Sequence, residues 1–355
     1  MTASVEAATV SVGKRDDHAS FPLFDWLRFA LASVVALGHE NIITIPWAGN
    51  FAVQVFFALS GWLIGGILLR TDAAGIPKFF FNRATRIWIP YFISVAVLYG
   101  FAFAKEGAGA RFAEFLFYDL TFTHNWFIDK IPAVVAQMPM NGTGAGFWSI
   151  CVEEQFYLAA PIVLVLFPWG RQPLLWVAIA ALAGVSGGWY GSISLGVLAA
   201  VLNLRYGNWH LRMLPQAAFV AMIAIFAAAV VIDPGLYPII VPFCAISIVM
   251  LCAVDGARSA VGQFAGGIAF PLYLYHWVGI FVVNAIARYA GVTFLSAGLA
   301  AYAVAVGAAA VAYVAIDRVV MDRRAPFFTR ARGRALGFIA YSLLAVGVIG
   351  GLSWR

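Results

Sequence analysis

Residues 50–69 read NFAVQVFFALSGWLIGGILL, twenty consecutive positions without a charged side chain. A helix needs about 20 mainly apolar residues to cross the hydrocarbon core of a bilayer. In lipid, backbone N–H and C=O groups must be satisfied within the spanning structure, which a helix achieves by itself. The segment therefore predicts a transmembrane helix.

The same composition extends over the whole chain of 355 residues, of which 63% are hydrophobic and 11% charged. Soluble domains usually carry about 25% charged and about 45–50% apolar residues. These values exclude a soluble protein and leave no room for a large aqueous domain. Apolar stretches of spanning length predict an all-α polytopic membrane bundle of about ten core helices plus an eleventh. The predicted spans lie near residues 21–43, 51–69, 87–104, 147–168, 173–189, 191–204, 214–232, 236–254, 264–287, 292–316 and 335–353.

The basic residues predict which side of the membrane each loop occupies. The chain holds 22 Lys and Arg against 16 Asp and Glu, a net charge of +6. If the N-terminus is cytoplasmic, seventeen of the basic residues fall in inside segments and five in outside segments. Cytoplasmic loops are enriched in Lys and Arg. The pattern thus predicts a cytoplasmic N-terminus, and it explains the positive charge by topology rather than by a nucleic-acid partner.

Three divisions of the chain follow from this pattern. Residues 1–20 form a polar cytoplasmic tail, 21–320 the transmembrane domain, and 321–355 a basic loop with the extra C-terminal helix. The first span is expected to be an uncleaved anchor, since no small-residue cleavage site follows it. The longest connection, about 105–146, is external, and loops of this length often act as lids or binding loops. The cysteines lie in apolar runs and indicate neither a disulfide framework nor a metal site: Cys151, Cys244 and Cys252.

Ionisable side chains within spans are costly in lipid and usually face a cavity or a pathway. The first span holds Asp25, Arg28, His39 and Glu40. Arg28 and His39 are eleven residues apart, about three helical turns, so they share one stripe at a separation of about 16 Å. One face thus carries a cation at its inner end and an imidazole near its outer end. The structural alternatives are that Arg28 extends its charge to the inner lipid headgroups and that the polar atoms of His39 find partners within the bundle.

Two later spans also carry polar groups. The fourth begins FWSICVEEQFY (147–157), and its adjacent carboxylates, Glu153 and Glu154, point about 100° apart, so at most one can be centred on a given cavity. A polar helix start with acidic residues is the structural alternative there. In the ninth span, FPLYLYHW (270–277) places Tyr273 and His276 on one face. For His276 a structural and a catalytic role are equally open.

A pair of arginines precedes the predicted third span. In KFFFNRATR (78–86), Arg83 and Arg86 are three residues apart at the cytoplasmic mouth of a helix. Guanidinium groups in this spacing form a fork suited to phosphate. The alternative is a positive-inside anchor.

Five segments, taken in order, resemble the acyltransferase family 3 membrane proteins. They are FDWLRFALASVVALGH (24–39), NFAVQVFFALSGWLIGGILL (50–69), FFFNRATRIWIPYF (79–92), TFTHN (121–125) with FWSICVEEQFYLAAPIVLVL (147–166), and FPLYLYHW (270–277). The resemblance implies a bacterial inner-membrane enzyme that moves an acyl group, often acetyl, from cytoplasmic acyl-CoA to a hydroxyl of a cell-envelope or exported glycan. Where the family commonly ends its last core helix in Glu-x-Pro, this chain has Asp317.

The resemblance also implies roles for individual residues. His39 is expected to be the catalytic base; beside it, the adjacent carboxylates Glu153 and Glu154 are expected to contribute, with Glu153 by preference either orienting the imidazole or stabilising its charged form. Donor binding is expected from Arg83 and Arg86, while Arg28 is expected either to bind the donor as well or to set the electrostatic potential of the cavity. The residues expected to bind the acceptor are Asp25, Asn125, Trp148, Ser149, Tyr157, Tyr273 and His276. Acyl-CoA is expected as a substrate rather than a tightly bound cofactor, no metal is expected, and the partners are acyl-CoA, the acceptor glycan or glycolipid and the bilayer.

Two other classes of function fit part of the sequence. In a secondary transporter or flippase, His39, Glu153 and His276 would relay protons while aromatic residues line a glycan path. A structural subunit of an envelope complex would need none of these residues for chemistry. The five ordered motifs favour the transferase.

Overall fold

A computed structural model describes residues 20–109, 111–128, 131–185, 189–291 and 294–354. Within these ranges the chain is built of helices, and no described residue forms a strand. Eight of the described helical segments are long and apolar enough to cross a membrane. The predicted fold class, an all-α polytopic membrane protein, is confirmed. Except for Ser20, the polar tail lies outside the described residues.

The long helices occur where the sequence predicts spans, with one additional helix in the external connection. In chain order they are α1 (Pro22–His39), α2 (Ala48–Leu68), α3 (Ile76–Glu106), α4 (Phe112–Leu120), α5 (Trp148–Pro161), α6 (Pro173–Val185), α7 (Tyr190–Tyr206), α8 (Met213–Ile232), α9 (Tyr237–Cys252), α10 (Ala260–Ala290), α11 (Phe294–Ala312) and α12 (Arg330–Ser353). A π-helical turn extends α5 through Ile162–Leu166, and another extends α11 through Tyr313–Asp317 into Arg318–Arg323.

The start of α3 differs from the sequence prediction in a way that matters for the site. The predicted span begins near residue 87, whereas the helix begins at Ile76. Polar and basic residues before position 87 delayed the start of the predicted apolar span, although they belong to the same helix. Arg83 and Arg86 therefore lie within the wall of the bundle, two to three turns from the start of α3, which is the inner end in the orientation that the basic residues predict.

Close backbone contact joins α2 to α7 through two glycines. A Cβ at Gly61 would lie 2.1 Å from the carbonyl oxygen of Ile193, and a Cβ at Gly196 would lie 2.2 Å from that of Ala58. Between helices in lipid, association relies on van der Waals packing, which small residues bring to close range. These glycines hold in place the helix that carries Ser60, a residue of the candidate site.

A second contact of small residues holds α1 against α10. Ala32 and Ala36 of α1 pack with Ala269 of α10, and all three side chains are almost fully buried. On its other side α10 meets α11, where a Cβ at Gly279 would lie 2.3 Å from the carbonyl oxygen of Ala301. This packing places the outer end of α1 beside the middle of α10.

The extra C-terminal helix, α12, packs along α3 and α4. Small residues face these neighbours along its length: a Cβ at Gly333 would meet Pro77 at the inner end, and one at Gly347 would meet Thr121 and Thr123 on the outer side. The helix thus supports both the arginine-bearing part of α3 and the external TFTHN segment.

We expect Gly61→Leu to destabilise the protein, because the added side chain would collide with the backbone of α7. Overpacking of this kind costs about 1–3 kcal/mol. Gly66→Leu on the same helix is the matched control, since nothing lies within 4 Å of a Cβ at that position. The melting temperature of the purified protein in detergent measures both, and equal values for the two variants would contradict the packing argument.

Candidate active site

Two histidines from distant parts of the chain meet at the outer side of the bundle. Nδ1 of His39, the last residue of α1, lies 2.8 Å from Nε2 of His276 on α10. Nδ1 of His276 lies 2.9 Å from the main-chain carbonyl oxygen of Tyr273, one turn earlier in the same helix. The sequence left a structural and a catalytic role open for His276, and the contact between the two histidines comes from the packing of α1 on α10.

A cavity of about 320 Å³ opens at this histidine pair. This volume falls within the usual range for small-molecule sites, about 300–1,000 Å³. His39 is exposed, whereas His276 is only 7% exposed. A molecule that enters the cavity therefore meets His39 first, with His276 behind it. The aromatic residues that line the cavity are Phe147, Trp148, Trp189, Tyr273 and Trp277.

One face of α5 leads from this cavity into the bundle. Ser149, Glu153 and Tyr157 are spaced four residues apart, so their side chains follow one another at about 6 Å intervals on the same side. Ser149 shares a short hydrogen bond with the hydroxyl of Tyr273. Glu153 accepts hydrogen bonds from Ser60 on α2 at 2.5 Å and from Tyr157 at 3.2 Å. Of the two adjacent carboxylates, Glu153 is the one that faces this polar line.

Glu154 points to the other side of α5, toward α3. Trp88 donates a hydrogen bond from Nε1 to Oε2 of Glu154 at 2.9 Å. The other carboxylate oxygen is buried and has no hydrogen-bond partner among the described residues. Glu153 and Glu154 thus have separate surroundings, as expected for side chains about 100° apart.

Three arginines converge at the inner end of the polar line. The guanidinium carbon of Arg83 lies 5.6 Å from the centre of the Tyr157 ring. Arg86 is within electrostatic range of both Arg83 and Glu153, and Arg28 of α1 is within range of both arginines. Like charges held together in a protein are unfavourable unless anions compensate them. This arrangement suits an anionic ligand.

Unsatisfied polar atoms surround the same arginines. Nε of Arg83, Oε1 of Glu154 and Oδ2 of Asp317 are buried without a hydrogen-bond partner in the described parts of the chain. Asp317 is within electrostatic range of Arg86. Buried polar atoms are nearly always paired in folded proteins. These three need water or a bound polar ligand to complete them.

The structure changes the role expected for Asp25. This carboxylate is 1% exposed, and Arg258 binds both of its oxygens at 2.6 Å from the loop before α10. Arg28 approaches it at 3.4 Å. The hydrogen bonds to Asp25 raise the pKa of Arg258. Asp25 thus holds α1 to the inner end of α10, three turns below the cavity, instead of meeting the acceptor there.

Asn125 also serves packing rather than lining the cavity. Its amide exchanges two hydrogen bonds with Gln155, at 3.1 and 2.8 Å, and Gln155 also donates to the carbonyl oxygen of Phe122 at 2.7 Å. Close by, buried Asp119 accepts hydrogen bonds from His124 and Tyr99, each at 2.6 Å. These bonds fasten the external segment to α5 and α3.

Glu153 does not orient the His39 imidazole as expected from the sequence. Its oxygens are bound to Ser60 and Tyr157, and the partner of His39 is His276. Sequence reasoning also missed Ser60 and Trp189 as parts of the site. Ser60 lies in the LSG motif of residues 59–61, so a polar residue within an apolar span was the available signal. Trp189 had no comparable signal.

Comparison with known proteins supports one family. A family profile described as "Acyltransferase domain" matches residues 21–316. The chain is 26% identical to the putative membrane-bound transacylase BcsY of Komagataeibacter xylinus, over 88% of this chain and 86% of that protein. It is 30% identical to the peptidoglycan O-acetyltransferase OatA of Listeria monocytogenes, over 51% of this chain and 28% of that protein.

A putative O-acetyltransferase of Staphylococcus aureus is 32% identical over 41% of this chain and 24% of its own length. The chain thus spans about a quarter of the length of the Listeria and Staphylococcus proteins. No solved structure matches the chain.

We expect Arg258→Ala to destabilise the protein, because the buried carboxylate of Asp25 loses its main partner. Hydrogen bonds to charged groups contribute about 1.5–3 kcal/mol. Combining Arg258→Ala with Asp25→Asn should lower the free energy of unfolding by less than the sum of the losses in the two single variants. Unfolding in detergent measures all three variants. Asp255→Ala, an exposed carboxylate in the same loop, is the control and should have no effect. Strictly additive effects of the first two changes would show that the pair does not hold the helices together.

Proposed function

Because this chain belongs to the acyltransferase family whose domain covers residues 21–316, we propose that it O-acylates a glycan across the bacterial inner membrane. The donor is cytoplasmic acyl-CoA, the transferred group is by default acetyl, and the acceptor is a hydroxyl of a cell-envelope or exported glycan. The names of the Listeria and Staphylococcus relatives support O-acetyl transfer. That the chain is a multi-pass membrane acyltransferase follows already from its family and its helices.

The observation that carries the proposal is a polar path with different chemistry at its two ends. At the outer end, an exposed imidazole borders a cavity rich in aromatic side chains. At the inner end, three arginines converge beside unpaired buried polar atoms. Arginine binds phosphate through charge-assisted, often bidentate hydrogen bonds. The phosphates of the donor therefore fit the arginine end, and its acyl-bearing arm fits the line of Tyr157, Glu153 and Ser149.

The acceptor hydroxyl reacts at the other end of this path. Neutral His39 removes the hydroxyl proton while the oxygen attacks the thioester carbonyl carbon, as general bases do in acyl transfer. The C–S bond then breaks, and the departing thiolate takes the proton back from His39. The products are an ester on the glycan and free CoA, and no other reactant is needed.

Glu153 and Glu154 lie near the arginines that bind the donor in this proposal. Glu153 lies between the histidine end and the arginine end, within electrostatic range of Arg86, and Ser60 and Tyr157 fix its carboxylate. Glu154 lies within electrostatic range of Arg83. The rival transporter or flippase function has no support from the family or the relatives.

We expect His39→Ala to reduce turnover by at least about 100-fold, the usual contribution of a general base. CoA release by purified protein, supplied with acetyl-CoA and a glycan acceptor, measures the effect. Ile45→Ala, an exposed residue in the loop after α1, is the control. Retained turnover in a folded His39→Ala protein would reject His39 as the base, and proton-coupled uptake without CoA release would favour a transporter.

Removing the arginine fork should weaken donor binding. With Arg83→Ala and Arg86→Ala combined, the KM for acetyl-CoA should rise by about 10-fold or more, since each charged hydrogen bond contributes about 1.5–3 kcal/mol and 1.4 kcal/mol is tenfold. The control is Arg212→Ala, an exposed arginine at the start of α8. An unchanged KM in the double variant would favour a purely topological role.

A further inference from the structure

We propose that His276 is a positioning residue that fixes the tautomer of His39, so that Nε2 of His39 is the atom that receives the acceptor's proton. This inference rests on the proposed function, in which His39 is the general base. It differs from the role expected from the sequence, in which His276 contacts the acceptor. The proposal rests on the geometry of three groups in succession, which are the Tyr273 carbonyl, the His276 imidazole and the His39 imidazole.

The first group is the main-chain carbonyl of Tyr273. A carbonyl oxygen only accepts hydrogen bonds, so Nδ1 of His276, 2.9 Å away, must carry a hydrogen and donate it. The carbonyl belongs to the preceding turn of α10, which makes this contact part of a rigid helix. A neutral imidazole has a single N–H group. Nε2 of neutral His276 therefore has a lone pair and can only accept.

Because Nε2 of His276 can only accept a hydrogen bond, it determines which nitrogen of His39 carries the hydrogen. Nδ1 of His39 lies 2.8 Å from the accepting Nε2 of His276, so it must be the protonated nitrogen of the His39 ring. The other nitrogen, Nε2, is then left with its lone pair. Without such a partner, an imidazole can carry its proton on either nitrogen, and only one of the two forms has a basic Nε2. The pair removes the unproductive form.

The surroundings show why this task falls to a histidine. In the familiar catalytic triad, a carboxylate accepts the Nδ1–H of the base and holds its tautomer. Here no carboxylate of the described residues hydrogen-bonds to His39, and Glu153 is occupied by Ser60 and Tyr157. His276 is nearly buried, whereas His39 is exposed. The inner imidazole thus takes the orienting position, and the outer one remains accessible to substrate.

Two substitutions at position 276 separate this role from simple packing. In His276→Gln the side-chain oxygen can occupy the place of Nε2 and accept from His39. In His276→Asn the shorter amide can still reach the Tyr273 carbonyl, but it leaves Nδ1 of His39 without its acceptor. Both replacements are polar and smaller than or similar to histidine in size, so melting temperatures in detergent serve to establish that both proteins are folded.

We expect His276→Asn to lower kcat by about 100-fold while the KM for acetyl-CoA stays within about twofold. His276→Gln should recover kcat to within about tenfold of the native enzyme. Native kcat in the Asn variant, or equal losses in folded Asn and Gln variants, would overturn the proposal. If His39→Ala is inactive in the same assay while His276→Asn is not, only this inference fails; if His39→Ala is active, the base assignment itself fails.

Nitrogen NMR of the native protein provides a measurement that does not depend on a variant's folding at position 276. With ¹⁵N-labelled histidine in lipid bilayers at neutral pH, the resonances lost in His39→Gln identify His39. The proposal requires a protonated Nδ1 and an unprotonated Nε2 for this residue. The reverse assignment of the two nitrogens would overturn it, whatever the catalytic rates.

Discussion

The hydrocarbon interior of a bilayer offers no hydrogen-bond partner to a polar side chain, so each polar group in this bundle depends on another part of the protein. Asp25 is held by Arg258, Glu153 by Ser60 and Tyr157, and His39 by His276. Ser60 lies on α2, His276 on α10 and Arg258 in the loop before α10, so these three partners come from other parts of the bundle. The same contacts that make buried polarity tolerable therefore also determine which helices must be neighbours.

The exceptions are as informative as the pairs. Around the arginines, Arg83, Glu154 and Asp317 each keep a buried polar atom without a partner in the described chain. At the outer end, His39 remains exposed to a cavity. The unpartnered atoms near the arginines thus lie where the proposed donor binds, and the exposed imidazole lies where the proposed acceptor binds. One face of α5 connects them, because a spacing of four residues keeps Ser149, Glu153 and Tyr157 in line.

Small residues make this arrangement of polar groups geometrically attainable. Gly61 and Gly196 bring α2 against α7, and the alanines of α1 and α10 bring those helices together. A hydrogen bond of 2.8 Å between side chains of two helices requires their axes to be close and their register to be exact. Apolar burial alone does not supply such precision between helices in lipid, where packing and polar contacts dominate.

The sequence by itself determined the fold class, the approximate positions of the spans and the ionisable residues within them, because apolar length and the cost of charge in lipid are local properties of the chain. It also showed that at most one of the adjacent residues Glu153 and Glu154 can face a given cavity, since neighbouring side chains on a helix point about 100° apart. Only the tertiary structure decided that Glu153 is the facing one, that Asp25 belongs to Arg258 and that His39 belongs to His276. Those outcomes depend on the rotation and register of helices distant in the chain, which are set by close packing that no single segment encodes.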